Sequence, residues 1–316
     1  MSRLLALWAA VWLSPAQPAD HGLAGLGQRY LALFVLHAGR QALRAPRLPF
    51  FEMQPLARDV FLASLDRLPE SERVLAVSSR FVGTPYRLHP LGEGPGREPD
   101  PDPLIRFDAV DCTTFIEQTM ALARSRSALE GLYWLRRIRY VDGRVDYACR
   151  KHFMMAQWLP LNQRAGFLED ITVQVGGPAA RWVRKRLTAR IWSLRKPDVA
   201  WPELGPDQIP AGDFELPILP LDDVLRLVDR IPAGSLLSVV RRDLRNMPTR
   251  VTHQGLLVQD GARPKLRHAG RAGYGLVVDE DLAHFIERNK AYRRWPVEGI
   301  NLQRIRMGAA RTGEGK

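Results

Sequence analysis

The order of the sequence patterns predicts an α+β fold, because helical patterns dominate the first two thirds of the chain and strand patterns follow residue 217. The chain has 316 residues and is 46% hydrophobic, so it can bury a substantial core. Two cysteines are too few for a disulfide scaffold, and this hydrophobic content excludes a mostly disordered chain.

The N-terminus has the pattern of a secretory signal peptide. A short cationic start is followed by ten apolar residues, 4–13, and then by small residues near Ala16 and Ala19. The alternative is a buried N-terminal helix. No later stretch reaches 18 apolar residues, so we expect no membrane span and a periplasmic or secreted protein.

Apolar residues at helical spacing predict several helices, and prolines and glycines mark a loop. The predicted helices cover residues 22–44, 56–68, 71–81 with Ser71 as cap, 111–124, and an arginine-rich 181–196; the loop covers 89–103. The arginine-rich segment carries Trp182 and Trp192 and could rest weakly on an anionic surface. The alternative is a solvated helix face.

Short apolar runs predict strands at residues 235–240, 251–259, 265–269 and 276–278. Asp260-Gly261 is a strong two-residue hairpin signal. If these two residues form the loop, counting outward places His253 directly opposite His268 on one face of the sheet. Pro264 restricts the second strand to an edge or a bulge.

The positive charge is a weak guide to partners. The formal net charge is +12, with arginine supplying 40 of the 46 cationic residues. An arginine-favouring coding bias would produce much of this excess. Since the leader predicts export, we expect no nucleic-acid partner.

Elbow-serine, zinc-helix, Cys-x-x-Cys and phosphate-loop motifs are absent from the sequence, which leaves a cysteine with histidines far downstream as the candidate for the chemistry. Cys112 falls in the first turn of the predicted helix 111–124. The positive helix end should lower the pKa of its thiol and favour the reactive thiolate. A buried inert cysteine is the alternative. The predicted pairing of His253 with His268 supplies a base and an orienting group, which cysteine catalysis requires.

These segments together resemble the NlpC-type papain-like cysteine hydrolases of bacterial cell walls. Residues 81–86 resemble the Gly-x-Pro-Tyr entry motif, and 111–115 the Asp-Cys-Ser/Thr nucleophile motif. Residues 252–255 and 266–269 resemble the two histidine-bearing strands. More narrowly, residues 140–143 with 147–153 resemble the branch labelled N-acetylmuramoyl-L-alanine amidase-like.

The resemblance implies a papain-like fold in which a helix-borne cysteine packs on an antiparallel sheet. Cys112 would be the nucleophile, His253 the general base and His268 the orienting residue. The reaction would be hydrolysis of an amide bond in peptidoglycan stem peptides or muropeptides. The bond would be the muramoyl–L-alanine link or the one after D-glutamate. No metal or cofactor is expected, and we expect a monomer.

Substrate-binding roles also follow from the resemblance. Tyr86, Asp111 and Thr113 match positions that recognise the free amine of a stem peptide. Arg150 and His152 are typical of the branch, and Arg150 would contact a substrate carboxylate. The alternatives are core packing for Tyr86, helix capping for Thr113 and a surface ion pair for Arg150.

Two departures keep other functions open. Cys149 stands where a small residue is expected, and it could pair with Cys112 in an oxidising compartment. The protein would then be a non-catalytic, envelope-binding one. An acyltransferase of the same fold is the other alternative. The segment before His253 also lacks an acid near Arg250.

The predicted domain organisation follows from these assignments. A signal peptide covers 1–19 and an N-terminal helical extension 20–70. The hydrolase domain covers 71–310, with a helical insertion at about 160–230, and a disordered tail covers 311–316.

Overall fold

A computed structural model describes residues 48–193, 203–205, 208–261, 263–271 and 273–307. The predicted signal peptide, the helix at 22–44 and the tail at 311–316 lie outside these residues. Within the described chain, no helix is both long and apolar enough to cross a bilayer.

The protein is a mixed α+β structure, as the sequence predicts. The helices are Pro55–Ser64 (α1), Glu70–Ser79 (α2), Cys112–Ala123 (α3), Ala128–Arg139 (α4), Leu159–Arg164 (α5), Thr172–Gly176 (α6), Ala189–Ser193 (α7), Leu221–Arg226 (α8) and Leu282–Ala291 (α9). The strands are Leu168–Asp170 (β1), Arg181–Leu187 (β2), Gly212–Ile218 (β3), Leu236–Arg241 (β4), Val251–Asp260 (β5), Arg263–Gly270 (β6), Leu276–Asp281 (β7) and Val297–Ile305 (β8).

The main sheet has the strand order β1-β8-β4-β5-β6-β7, and every neighbouring pair is antiparallel. Alternation along β4 assigns its side chains to two cores. Leu236 and Val240 pack with α2 and α3, whereas Leu237 and Val239 pack with α8 and α9. Helices therefore cover both faces of the sheet.

The core on the α3 side extends to the beginning of the described chain. Phe50 meets Phe61 and Phe81 edge to face, and Phe81 meets Phe115 of α3 in the same way. These side chains are 0–1% exposed. This aromatic cluster ties α1 and α2 to the helix that carries Cys112.

The predicted helix at 181–196 is wrong over its first half. Residues 181–187 form β2, which pairs with β3 in a separate two-stranded sheet. The apolar positions Val183 and Leu187 are four apart, a spacing that also fits a period of two. Val183, Lys185 and Leu187 face inward here, while Arg184 and Arg186 point outward. The segment 160–230 is therefore mixed rather than helical, since it also contains β1 and β3.

The hairpin between β5 and β6 is formed, but its register differs from the prediction. Asp260 pairs with Arg263, and Leu256 pairs with Arg267. Gly261, with φ of +78°, occupies the first position of the turn instead of the second. The pairing is thus displaced by two residues, and His253 lies diagonal to His268 instead of opposite it. A displacement of two preserves the face, because side chains alternate with a period of two.

Candidate active site

A cavity of about 300 Å³ lies where the N-terminus of α3 meets β5. Both polar and apolar side chains line it. The lining includes Asp111, Cys112, Thr113, Glu117, Arg139, Arg150, Lys151, His152, Met154, Met247, Thr249, Thr252, His253, Gln254 and Trp295. Six of the eight residues predicted for the site line this cavity: Asp111, Cys112, Thr113, Arg150, His152 and His253.

Cys112 is the first residue of α3, as predicted, and it is partly exposed. Asp111 caps the helix, with its Oδ1 accepting from the backbone N–H of Thr114 at 2.8 Å. The Thr114 hydroxyl in turn accepts from the backbone N–H of Asp111 at 2.9 Å, which completes a capping box. The cap fixes the thiol at the helix end.

The pKa of the Cys112 thiol is raised to about 12, contrary to the prediction. Burial is the main cause, and the neighbouring Asp111 carboxylate adds to it. Hydrogen bonds from Thr113 and from the backbone N–H of Gln254 lower the pKa of the thiol, but by less than burial raises it. The thiol is therefore protonated at neutral pH and needs a base to become a nucleophile.

A bulge interrupts β5 where this strand lines the cavity. Val239 pairs with His253 and Val240 with Val251, so Thr252 is the extra residue. The cavity lining includes Thr252 and His253 together with the flanking Val251 and Gln254.

His253 and His268 are hydrogen-bonded, with 2.9 Å between Nε2 of His253 and Nδ1 of His268. His268 is 1% exposed and lies behind His253, away from the cavity lining. Their rings are perpendicular, and the His253 ring stacks on Phe285 of α9.

Glu280, which sequence reasoning did not single out, completes this arrangement. Its Oε2 lies 2.9 Å from Nε2 of His268, and Arg288 donates to both carboxylate oxygens at 2.7 and 2.8 Å. The sequence contains a clue to this residue, because Glu280 comes shortly after the predicted strand 276–278. That strand, β7, pairs with β6, which carries His268. We call His253, His268, Glu280 and Arg288 the histidine network.

The hydrogen bonds of this network assign the tautomers of both rings. Ionised Glu280 can only accept, so Nε2 of His268 carries its proton. Neutral His268 then accepts at Nδ1, which makes Nε2 of His253 the donor. Nδ1 of His253 is left without a proton, which is the state required of a base.

Burial keeps both imidazoles neutral. It lowers the pKa of His253 well below the ordinary value, and the charges of His268, Arg288 and Arg241 lower it further. Burial also lowers the pKa of His268, although Glu280 opposes this effect. The carboxylate of Glu280 remains ionised because Arg288 holds its pKa low against the opposing effect of burial.

Asp111 and Thr113 line the cavity, but the structure divides their tasks differently from the prediction. The helix cap involves Thr114, whereas the Thr113 hydroxyl lies 4.0 Å from the Cys112 sulfur. The second oxygen of Asp111 accepts from the backbone N–H of His89 at 3.1 Å. Both oxygens of Asp111 are thus engaged within the protein.

Arg150 lines the cavity, yet its guanidinium is already paired. It donates to Glu93 at 2.9 Å through Nε and to Asp100 at 2.8 Å through Nη2. Its predicted role as receptor of a substrate carboxylate has weak support, because two acids neutralise it. His152 is neutral, since burial lowers its pKa to about 3, and its Nε2 lies 2.7 Å from the carbonyl oxygen of Tyr147.

Tyr86 lies beside the site without lining the cavity. Its ring packs partly buried against the α3-side core. Burial raises the pKa of its phenol, and the nearby Cys112 and Asp111 add to the effect.

Four charged residues belong to the cavity lining: Glu117, Arg139, Arg150 and Lys151. Of these, the sequence patterns predict only Arg150. Glu117 accepts from the Trp158 indole at 2.8 Å and pairs with Arg139 at 3.4 Å. Lys151 donates to two backbone carbonyls and to Asn162 at 2.9–3.0 Å. We call Glu117, Arg139, Arg150 and Lys151 the charged floor.

Both cysteines are free thiols. The sulfur of Cys149 accepts a hydrogen bond from Arg144 Nε at 3.0 Å. Among the described residues, no group of three or more His, Cys, Asp or Glu side chains is arranged to hold a metal ion.

Fold and site together define a mixed α+β protein in which a helix-end cysteine and a strand histidine share one cavity. The sequence profile of the N-acetylmuramoyl-L-alanine amidase-like family matches residues 76–292. The chain therefore belongs to this family, which suggests a hydrolase that acts on peptidoglycan.

Solved structures share the fold. A Legionella pneumophila protein of the uncharacterised family DUF1460 has a TM-score of 0.70 at 24% identity, over 80% of this chain and 94% of its own. A Bacteroides uniformis N-acetylmuramoyl-L-alanine amidase has a TM-score of 0.57 at 23% identity, over 74% and 98%. A Bacteroides fragilis protein with the provisional name xylanase has a TM-score of 0.55 at 25% identity, over 73% and 100%. A comparison with curated proteins found no match. These neighbours share the fold but carry different names, so the fold alone does not define the function.

Proposed function

We propose that the protein is an exported cysteine amidase with a papain-like, NlpC-type site, and that it cleaves an amide bond in peptidoglycan stem peptides. The observation that carries the proposal is the histidine network, which leaves Nδ1 of His253 unprotonated in the cavity that Cys112 also lines. The family supplies the substrate class.

Because the pKa of the Cys112 thiol is raised, the thiol loses its proton during its attack on the substrate and not before it. The Sγ–H proton passes to Nδ1 of His253 as Sγ attacks the amide carbonyl carbon. The carbonyl electron pair moves to oxygen, and the backbone N–H of Cys112 at the N-terminus of α3 would stabilise that oxyanion. A preformed thiolate is not needed.

Collapse of the tetrahedral intermediate breaks the C–N bond. Protonated His253 gives its proton to the leaving amine, and a thioester on Cys112 remains. Water then attacks the thioester, His253 takes its proton, and the thiol leaves as the protonated group. His268 holds the ring of His253, and Glu280 fixes the tautomer.

The muramoyl–L-alanine amide is the proposed bond. An endopeptidase that acts on free stem peptides needs a group for the terminal ammonium, and Asp111 is the carboxylate among the three residues predicted for it, Tyr86, Asp111 and Thr113. Its two oxygens already accept hydrogen bonds from Thr114 and His89. The family's name also favours the muramoyl amide.

The test is digestion of defined muropeptides by the wild-type chain and by Cys112→Ala, read by mass spectrometry. Release of intact stem peptide by the wild type alone supports the amidase. A cut after D-glutamate would replace it with the endopeptidase. Cys149→Ser, which removes the other thiol, is the matched control and should behave as the wild type.

Two further outcomes would overturn the proposal. An acyltransferase would transfer the acyl group to an added amine and give little product with water alone. A non-catalytic envelope-binding protein would leave every muropeptide intact, and thiol titration of the unreduced protein would then find fewer than two free thiols.

A further inference from the structure

Arg241 is a cation beside the active site that no acid of the described chain neutralises. It ends β4, is half-buried, and lies close enough to His253 to lower the pKa of that imidazole. Among the described residues, no carboxylate oxygen comes within ion-pairing distance of its guanidinium. Arg288, whose charge lowers the pKa of Arg241, is also a cation.

Neutral groups hold the Arg241 side chain in place. Nε donates to the hydroxyl of Thr252 at 2.8 Å, and Nη1 donates to the carbonyl oxygen of Trp295. The guanidinium carbon lies 5.0 Å from the centre of the Tyr292 ring and 5.7 Å from that of the Trp295 ring. Burial lowers the pKa of the guanidinium, but arginine stays charged at any physiological pH.

The cations of the charged floor differ from Arg241, because each of them has partners within the protein. Arg139 pairs with Glu117, Arg150 with Glu93 and Asp100, and Lys151 uses its three donors on three acceptors. The cations that line the cavity are thus occupied by the protein. Arg241 lies next to the cavity, since it is hydrogen-bonded to Thr252 and Trp295, which both line it.

We propose that Arg241 receives a carboxylate of the substrate peptide. A half-buried, oriented guanidinium without an acid gains most from an anion that arrives with the ligand, because Nη2 is not committed to any described residue. Trp295 is fixed by its own indole N–H bond to the carbonyl of Arg242 at 2.8 Å, so the receptor is preorganised.

The ligand is therefore an acidic peptide whose carboxylate lies near the scissile amide. This inference rests on the proposed function for the identity of the peptide, and the free α-carboxylate of the stem D-glutamate is the group of that kind. Its consequence is selectivity, since an α-amide at the same place offers no charge to Arg241.

The test uses two muramoyl tripeptides that differ only in whether the D-glutamyl α-carboxylate is free or amidated. We expect the wild type to favour the free acid by about 10- to 100-fold in kcat/KM, mainly through KM. Arg241→Gln should lose that preference, and Arg241→Lys should retain part of it. Arg242→Gln, at the exposed neighbouring position, is the matched control and should keep it.

Binding to Cys112→Ala by calorimetry separates this inference from the proposed function. If the acid binds more tightly and Arg241→Gln removes the difference, the inference holds even when the wild type cleaves neither peptide. Equal binding of acid and amide, or a preference that survives in a folded Arg241→Gln protein, would overturn it. Thermal melting establishes that each variant is folded.

Discussion

The histidine network and the charged floor are two polar regions that meet at the same cavity, and they differ in how their hydrogen bonds are used. In the network, hydrogen bonds run from His253 through His268 to Glu280, and this series leaves Nδ1 of His253 unprotonated. In the floor, the charges are matched by acids and carbonyls within the protein. Burial of charge is common to both regions, so it does not by itself mark a catalytic group.

Removal of the proposed base, His253, should lower activity more than any of the other substitutions. His253→Ala should lower kcat/KM by about 10⁴-fold, near the upper limit of what a general acid–base group contributes. The unfolding free energy should fall by about 1–3 kcal/mol, because Nδ1 of the buried His268 loses its hydrogen-bond donor. Steady-state assays on a muropeptide and chemical denaturation measure the two quantities. Activity within tenfold of the wild type would show that the network is structural, like the floor.

The complementary change breaks the charged floor. Arg139→Met leaves the Glu117 carboxylate buried without its cation, and should cost about 3–5 kcal/mol of unfolding free energy. Adding Glu117→Gln removes the stranded charge and keeps an acceptor for Trp158, so the double variant should recover part of the loss. Denaturant titration measures both. If the double variant is no more stable than Arg139→Met, the carboxylate is not the source of the loss.

The pH dependence of kcat/KM should respond to smaller changes within the histidine network. The rate should fall on the acid side as His253 becomes protonated. Glu280 raises the pKa of His268, whereas Arg288 lowers the pKa of both histidines. Glu280→Gln should therefore move the acid limb of kcat/KM to lower pH, and Arg288→Gln should move it to higher pH. Shifts in the same direction, or none, would mean that the two residues only support the fold.

The smallest expected effect concerns a thiol that belongs to neither region. Cys149 is partly exposed, and its described side-chain partner is Arg144. Cys149→Ser should change the unfolding free energy by no more than about 0.5 kcal/mol and leave kcat/KM unchanged under oxidising and reducing conditions. A gain of activity in the oxidised variant would instead show that Cys149 restrains Cys112.

Local patterns predicted much of the fold. The helix that begins at Cys112 and the strands around His253 and His268 were identified because they are strongly periodic. The arginine-rich segment was misassigned because Val183 and Leu187 fit both periods. Its strand character comes from pairing with β3, about thirty residues later, and no local pattern reports such a pairing.

The site was predicted in part for similar reasons. The two-residue error in hairpin register left His253 and His268 on one face, so the contact formed although the pairing differed. Glu280, Arg288 and Arg241 were missed. Their positions relative to His253 depend on the packing of α9 and on the bulge at Thr252, which a single sequence does not specify.

Local propensity and periodicity in the sequence predict the helix-end position of Cys112 and the strand positions of the two histidines, and so identify the candidate reactive groups. The tertiary structure alone decided their protonation. It buried the thiol and raised its pKa to about 12, and it set Glu280 behind His268 to fix both tautomers. It also paired Arg150 and left Arg241 without an acid among the described residues. The physical reason is that burial and distance between charges set ionisation, and both arise only when distant segments pack together.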